Sequence, residues 1–410
     1  MNVLQIKPIL AALKRHKAGT ILIVLQIALT LAIVCNALFI IQQRLASMSR
    51  PTGMVESNLL TIQNHWAGVD TAAIPSLAKA DLLALRQLPG VVDATQSEAF
   101  PLGGGGESEG IRLDPLAKPR ITLATEYFVD DHALATMGVR LIAGRNFRAD
   151  EVHALDPTAN TSLPEVIVTK ALADVAYPDG SALGRPIYIG NDHPSPSTII
   201  GIVDQLQGTW HTLSFLDRTV LLPAQMADSD GSYLIRSKPG QLAEVAKAAP
   251  AALLKLDRMR VFPPVKGIRT FDVVREQAYK TDRGMAILLG AICLILLIVT
   301  GAGIVGLTSF WVGQRRKQIG VRRALGATRN DILAYFLTEN FMISLGGVVI
   351  GTVLAISLSE WLVLRFAMPP LSFVYLLLSA AALLLLGQGA TLAPALKASR
   401  VPPVEATRSV

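Results

Sequence analysis

Nineteen residues, Gln314 to Ile332, hold six Lys or Arg side chains and one acid, Asp331, with an apolar run on either side. A patch of this kind can grip phosphates, mark the side of a membrane, or face another protein. Other candidates for chemistry are few. Gly103 to Gly106 is a GGGG run, but no Lys-Ser/Thr and no helix start follow it. A flexible linker is expected there, not a phosphate loop. No Walker A pattern occurs in the chain, so no P-loop site for ATP is expected. His65, His132, His153, His193 and His211 do not pair with another His, Cys or acid at metal-ligand spacing. Asp130-Asp-His132 comes nearest, and the expectation is exposed loop histidines without a metal. No Ser or Cys sits in a nucleophile elbow. The residues therefore predict no catalytic group, no metal and no cofactor in this chain.

The elements that must position the basic patch follow from composition. The chain is 51% hydrophobic and 17% charged, against about 25% charged for a typical globular protein. Gly19–Ile41, Gly284–Trp311, Phe341–Ser359 and Leu371–Pro394 carry no charge. About 20 apolar residues cross a bilayer, so each run is long enough to span it. The expected spans are residues 19–41, 284–311, 333–360 and 371–394. The first run is too long for a signal peptide and lacks a small-x-small cleavage site, so it reads as an uncleaved anchor. Before it, Ile6, Ile9, Leu10 and Leu13 form a stripe with Lys7 and Lys14 off it. Residues 1–18 are thus expected to include a short helix on the membrane surface, in contact with lipid.

Basic residues set the orientation. Residues 1–18, the 311–336 segment and the C-terminal tail together hold thirteen Lys or Arg and two acids. The short connection at 361–370 holds only Arg365. Both termini are expected inside, with residues 42–283 outside. The net charge of +7 is then a topology signal, and no nucleic-acid partner is expected, since the outside domain has no basic stripe with interleaved aromatics. Cys35 and Cys293 both fall in spans, so the outside domain must fold without disulfides.

Within residues 42–283, Leu59–Ile62, Asp81–Leu88 and Val91–Thr95 read as a strand, the core of a helix and a strand. Tyr233–Arg236, Gln241–Leu256 and Arg260–Phe262 repeat that order. Two β-α-β units, over about 55–100 and 231–270, predict a split α/β layer. Residues 101–230 read as a mostly β subdomain inserted into it. Phe271–Arg283 has helical spacing and no turn signal before the second span, so a continuous helix is expected. The fold class is a membrane protein of four transmembrane helices with an extracytoplasmic α+β domain.

In the basic segment at 312–332, Val321, Ala324 and Leu325 share a helical face, and Arg322 and Arg323 lie beside Ile319. Gly326 is placed to end this short helix, and Thr328 to Asp331 fits the start of another. Positive-inside charge explains the Arg count; it does not explain an apolar face, a Gly stop and a cap in that order. Gly347-Val-Val-Ile-Gly351 is a GxxxG, whose packing partner is either another chain or a helix of the same unit.

Gln314-Arg-Arg-Lys-Gln-Ile-Gly-Val-Arg-Arg-Ala-Leu-Gly-Ala-Thr-Arg329 resembles the cytoplasmic signature of FtsX/MacB-type ABC permeases. The ending Pro394–Arg408, the pair Glu126-Tyr-Phe128 with Met137–Phe147, and Ile199–Val203 resemble further motifs of that family. The resemblance implies a dimeric four-span permease working with two copies of an ABC ATPase, which bind ATP and Mg. Gln318, Ile319, Gly320, Val321, Arg322, Arg323, Ala324, Leu325 and Gly326 would form the ATPase-coupling segment. The chain begins eighteen residues before the first span, so a separate ATPase subunit is expected. Where the signature carries acids, this chain has Gln314 and Gln318. That fits neutral drift, exposed pairs being worth about 0–1 kcal/mol, or one half of a heterodimer with a paralogue. The family passes force across the inner membrane, so MacB-like efflux of a toxic small molecule or peptide by mechanotransmission is the first expectation. It would bring a periplasmic adaptor and an outer-membrane channel. FtsX-like control of a cell-wall hydrolase and lipoprotein extraction are the alternatives; the size of the outside domain favours export. No ionisable residue lies deep in a span, and Glu339 stands at the entry of the third, which disfavours a proton-coupled carrier.

Overall fold

The computed structural model describes residues 17–115, 120–155, 163–190, 195–366 and 370–402. The surface helix expected before residue 17, His193 and the end of the C-terminal tail lie outside the described residues. In chain order the elements are α1 (Lys17–Met48), β1 (Leu59–Trp66), α2 (Ile74–Arg86), β2 (Val91–Ser97), β3 (Glu107–Arg112), β4 (Thr122–Val129), α3 (Ala133–Met137), β5 (Leu141–Gly144), β6 (His153–Leu155), β7 (Glu165–Thr169), α4 (Lys170–Ala176), β8 (Pro186–Ile189), β9 (Pro196–Val203), β10 (Thr219–Met226), β11 (Asp230–Ser237), α5 (Leu242–Leu256), β12 (Arg260–Val261), β13 (Ile268–Thr270), α6 (Phe271–Ala278), α7 (Lys280–Gln314), α8 (Arg316–Ala324), α9 (Arg329–Phe366) and α10 (Phe373–Ser399). They fall into two units, one of residues 49–280 and one of the helices before and after it.

In the 49–280 unit the two β-α-β repeats interlock. The strand order β12-β1-β11-β2 puts β11 between the strands of the first repeat and β1 between the strands of the second. Both pairings with β11 are antiparallel. Period-two alternation then aims Leu60, Ile62 and Trp66 at the same core as Tyr233 and Ile235. Helices α2 and α5 cover that core with Leu82, Leu85, Val245 and Leu253. Helix α2 holds most of the stretch expected as the core of a helix, Asp81–Leu88, and extends seven residues before it. Pro75 suits a first turn, and Ile74, Ala78, Leu82 and Leu85 keep one buried stripe. One buried ion pair ties helix to strand: Arg260 donates to Asp81 at 2.8 and 2.9 Å, and Tyr233 Oη donates to the same carboxylate at 2.7 Å. The insert carries strands β3 to β10 around a core that includes Ile111, Ala124, Val166, Val168, Val220 and Leu222. It continues the same sheet through β2 and β4, where Ser97 pairs with Val129.

The GGGG run forms a turn leading into β3, with Gly104 and Gly106 at φ +76° and +112°. The helix expected to run unbroken from Phe271 is interrupted. Tyr279 leaves helical geometry at φ −98°, ψ 9°, with its ring against the His211 ring at a 4.6 Å centroid separation.

In the helical unit, α1, α7, α9 and α10 are long and apolar enough to cross a membrane. Ile23, Ile27 and Leu31 of α1 pack with Ile304, Ile343, Val348 and Leu383 from the other three. The GxxxG of α9 faces α1 of the same chain. A Cβ at Gly347 would meet Ile27 Cβ at 2.8 Å, and one at Gly351 would meet the Ala28 carbonyl oxygen at 2.8 Å. The two backbones approach closely because these positions carry no side chain. Polar groups between spans bond to one another: Gln26 donates to Val299 O at 3.0 Å, Thr30 and Thr300 share a 2.8 Å hydrogen bond, and Asn36 donates to Ala355 O at 3.1 Å. Hydrocarbon offers such groups no other partner.

Candidate functional site

The short basic helix α8 sits between the ends of α7 and α9 and is held at three points. At its start, Arg315 and Glu339 are both buried, and one guanidinium nitrogen donates to the two carboxylate oxygens at 3.0 and 2.8 Å. Along its inner face, Ile319 joins Val312, Ile332, Phe336, Ala395 and Ala398 in a separate small core. Gly320 is buried beside it. At its end, Arg323 donates to the carbonyls of Ser399 at 3.1 Å and Val401 at 2.9 Å. The Ser399 carbonyl is the last of α10 and Val401 follows just beyond it, a place where a cation is favoured by both hydrogen bonding and the helix dipole.

Gly326 stops the helix at φ +98°, a conformation glycine adopts without a Cβ penalty. Its N–H donates to Arg323 O, and the N–H of Ala327 to Arg322 O. The next helix starts with a reciprocal cap: Thr328 N donates to Asp331 Oδ2 at 2.9 Å, and Asp331 N to Thr328 Oγ1 at 3.2 Å.

The nine signature residues divide into two sets. Ile319, Gly320 and Arg323 face their own chain. Gln318, Val321, Arg322, Ala324, Leu325 and Gly326 are exposed, with Leu325 at 83%. The Arg322 guanidinium lies 4.8 Å from the centre of the Tyr335 ring, which fixes its direction. The outer face therefore presents Val321 and Leu325 beside a positioned Arg. Sequence reasoning missed the Arg315–Glu339 pair and the Arg323 clasp. Both join residues far apart in the chain, 24 positions in the first case and 76 or more in the second, so no local pattern marks them.

Among the described residues no group of His, Cys, Asp or Glu could hold a metal ion. Of the histidines expected in loops, His132 and His211 lie in turns, while His65 and His153 lie on strands. His65 Nδ1 lies 3.0 Å from Asp230 and His132 Nδ1 lies 2.9 Å from Asp93. Asp130 accepts from Thr95 and from Arg86, so the Asp130–His132 motif belongs to a structural network. Its acids come from neighbouring strands, which spacing along the chain does not show.

Four spanning-length helices, a clamped basic helix between two of them and one large α+β domain make the build of a membrane permease. Family models match accordingly: the MacB-like periplasmic core domain over residues 20–252, and the FtsX-like permease C-terminal domain over residues 290–403. The chain belongs to the MacB-like family of ABC transporter permeases, membrane proteins with a periplasmic domain. Among similar proteins, the macrolide export ATP-binding/permease protein MacB of Bartonella henselae is 28% identical over 85% of this chain and 51% of its own length. The ABC transporter permease YvrN of Bacillus subtilis is 24% identical over 69% of each. The chain spans about half the length of the MacB relative. The crystal structure of the periplasmic region of MacB from Actinobacillus actinomycetemcomitans covers 57% of this chain and 97% of its own at 15% identity, with a TM-score of 0.35.

Proposed function

We propose that this chain is the permease subunit of an ABC transporter, driven by two copies of a separate ATPase subunit. ATP and Mg bind to that partner. A second permease copy or a paralogue completes the dimer in the bacterial inner membrane, with both termini in the cytoplasm. The work is MacB-like export by mechanotransmission of a toxic small molecule or peptide, delivered to a periplasmic adaptor and an outer-membrane channel. Relatives named for macrolide export and for syringafactin export support the export reading. The observation that carries the coupling role is the outer face of α8. Leu325 is 83% exposed and Val321 43% exposed, at the end of a helix whose other face is tied into its own chain. An apolar anchor beside a directed Arg is what a protein partner's pocket recognises.

The test is replacement of Leu325 by Asp, in membranes containing the ATPase. Loss of the apolar anchor should weaken ATPase attachment about tenfold or more. Transport should fall with it, while insertion and the thermal stability of the permease stay unchanged. Full ATPase association and full transport in Leu325→Asp would remove α8 as the coupling surface.

A further inference from the structure

A groove of about 470 Å³ opens between the first turns of α1 and the last turns of α7, room enough for an organic ligand. Its walls are apolar. Leu22 and Phe310 are 54% and 60% exposed, and Leu307, three residues before Phe310, shares its helical face. Trp311, 7% exposed, reaches the groove from the core of the bundle. Gly19 admits it there: a Cβ on Gly19 would stand 2.7 Å from Trp311 Cζ2, so the indole packs on bare α1 backbone.

The polar lining is confined to one level. Lys17 and Gln314 are exposed and flank the charge-free runs Gly19–Ile41 and Gly284–Trp311. Leu22, Leu307 and Phe310 lie inside those runs. The groove thus passes from the level of lipid headgroups into hydrocarbon. A second observation is electrostatic. No acid lines the groove. Helix α1 contains none, and the one acid of α7, Asp282, bonds to Arg44 near the opposite ends of the two helices. Neither wall therefore supplies Lys17 with a counter-charge. Helix α7 is also the least buried of the four spanning helices, so its own chain leaves much of its surface open.

An amine at the rim of an apolar slot between spanning helices suits a molecule with an anionic head and a hydrocarbon tail. A free phosphate would leave the walls bare, and a zwitterionic lipid would bring its own cation up to Lys17. We propose that this groove holds one anionic phospholipid. Its phosphate sits at Lys17, and one acyl chain lies against Leu22, Leu307 and Phe310 beside the Trp311 ring. The proposed orientation of the chain draws it from the inner leaflet. The site stands whether or not the chain exports anything.

Trp311 makes the site testable, since a brominated acyl chain seated beside an indole quenches its emission. The measurement is tryptophan fluorescence of the full chain in phosphatidylcholine nanodiscs, with brominated phosphatidylglycerol or brominated phosphatidylcholine added in steps. The Trp311 signal is the difference between the native chain and Trp311→Phe. Brominated phosphatidylglycerol should half-quench it at about a fivefold lower mole fraction than brominated phosphatidylcholine. High salt should narrow the gap. Lys17→Gln should close it, while Lys7, Lys14 and Arg15 remain to hold the orientation. Mass spectrometry of the chain released from the discs should find one phosphatidylglycerol per chain, and none in Lys17→Gln. General attraction to the basic flanks would survive the loss of a single charge, so an unchanged preference in Lys17→Gln would overturn the proposal. Displacement of the lipid by glycerol phosphate would make this a site for a free anion and overturn it too. No quenching by either lipid would mean that protein fills the groove, from residues 1–16 or from a second copy, and the lipid site would be wrong.

Discussion

Arg315 and Glu339 bring opposite charges together where neither meets bulk water. Removing one partner of such a pair costs about 3–5 kcal/mol, because the other is left buried and uncompensated. Arg315→Ala should therefore lower the thermal stability of the solubilised protein steeply. The double substitution Arg315→Met with Glu339→Leu should recover most of the loss. Equal losses in the single and double variants would show that the pair is not coupled. Glu126 behaves in the opposite way. Its carboxyl is held at about 8 in the fold against an ordinary 4.5, so folding takes up a proton between those values. Its contribution is fully present below about pH 4.5 and is lost as pH rises toward 8, with a slope of up to about 1.4 kcal/mol per pH unit. Melting curves of the full chain across that window should slope downward, and Glu126→Gln should flatten them. An unchanged slope would mean that another group titrates there.

At the scale of elements, the close approach of α1 and α9 rests on two glycines. A leucine at Gly351 would press on the Ala28 carbonyl, which is backbone and cannot turn aside. Overpacking of this kind costs about 1–3 kcal/mol, and Gly351→Leu should show it as a lower melting temperature. Gly306 of α7 is a control, since a Cβ there meets nothing within 4 Å. If both variants melt alike, the contact contributes nothing. The GxxxG was legible in the sequence, but not its partner, because the pattern reports small size and not direction. The cap at Thr328–Asp331 and the stop at Gly326 were fully legible, since each is built from residues within four positions. Helix α2 extends ahead of the stretch expected as its core, because Pro75 and Ser76 interrupt the helical pattern of its first turn while Ile74 still reaches the core. The break at Tyr279 was not visible. Tyr279 meets the His211 ring there, 68 positions away in the chain, a contact that no local pattern encodes.

At the scale of the molecule, charge-free runs and basic flanks carried the architecture. The outer domain was readable because its two β-α-β repeats are separately patterned, although their interlocking depends on pairings that no local pattern encodes. The proposed orientation has a direct check. Both native cysteines are buried, so single added thiols report without background. Leu325→Cys should react with an impermeant maleimide only in inverted vesicles, and Val265→Cys, exposed at 71%, only from the outer side. Labelling of both from one side would invert the reading. The Arg323 clasp at the C-terminal end of α10 has a further consequence. With the Arg315–Glu339 pair at the other end, the short helix is tied to α9 and to α10. Under the proposed coupling, a push on this helix by a partner would reach two spans at once, like a key turning two locks, instead of being spent on the helix rolling in its seat.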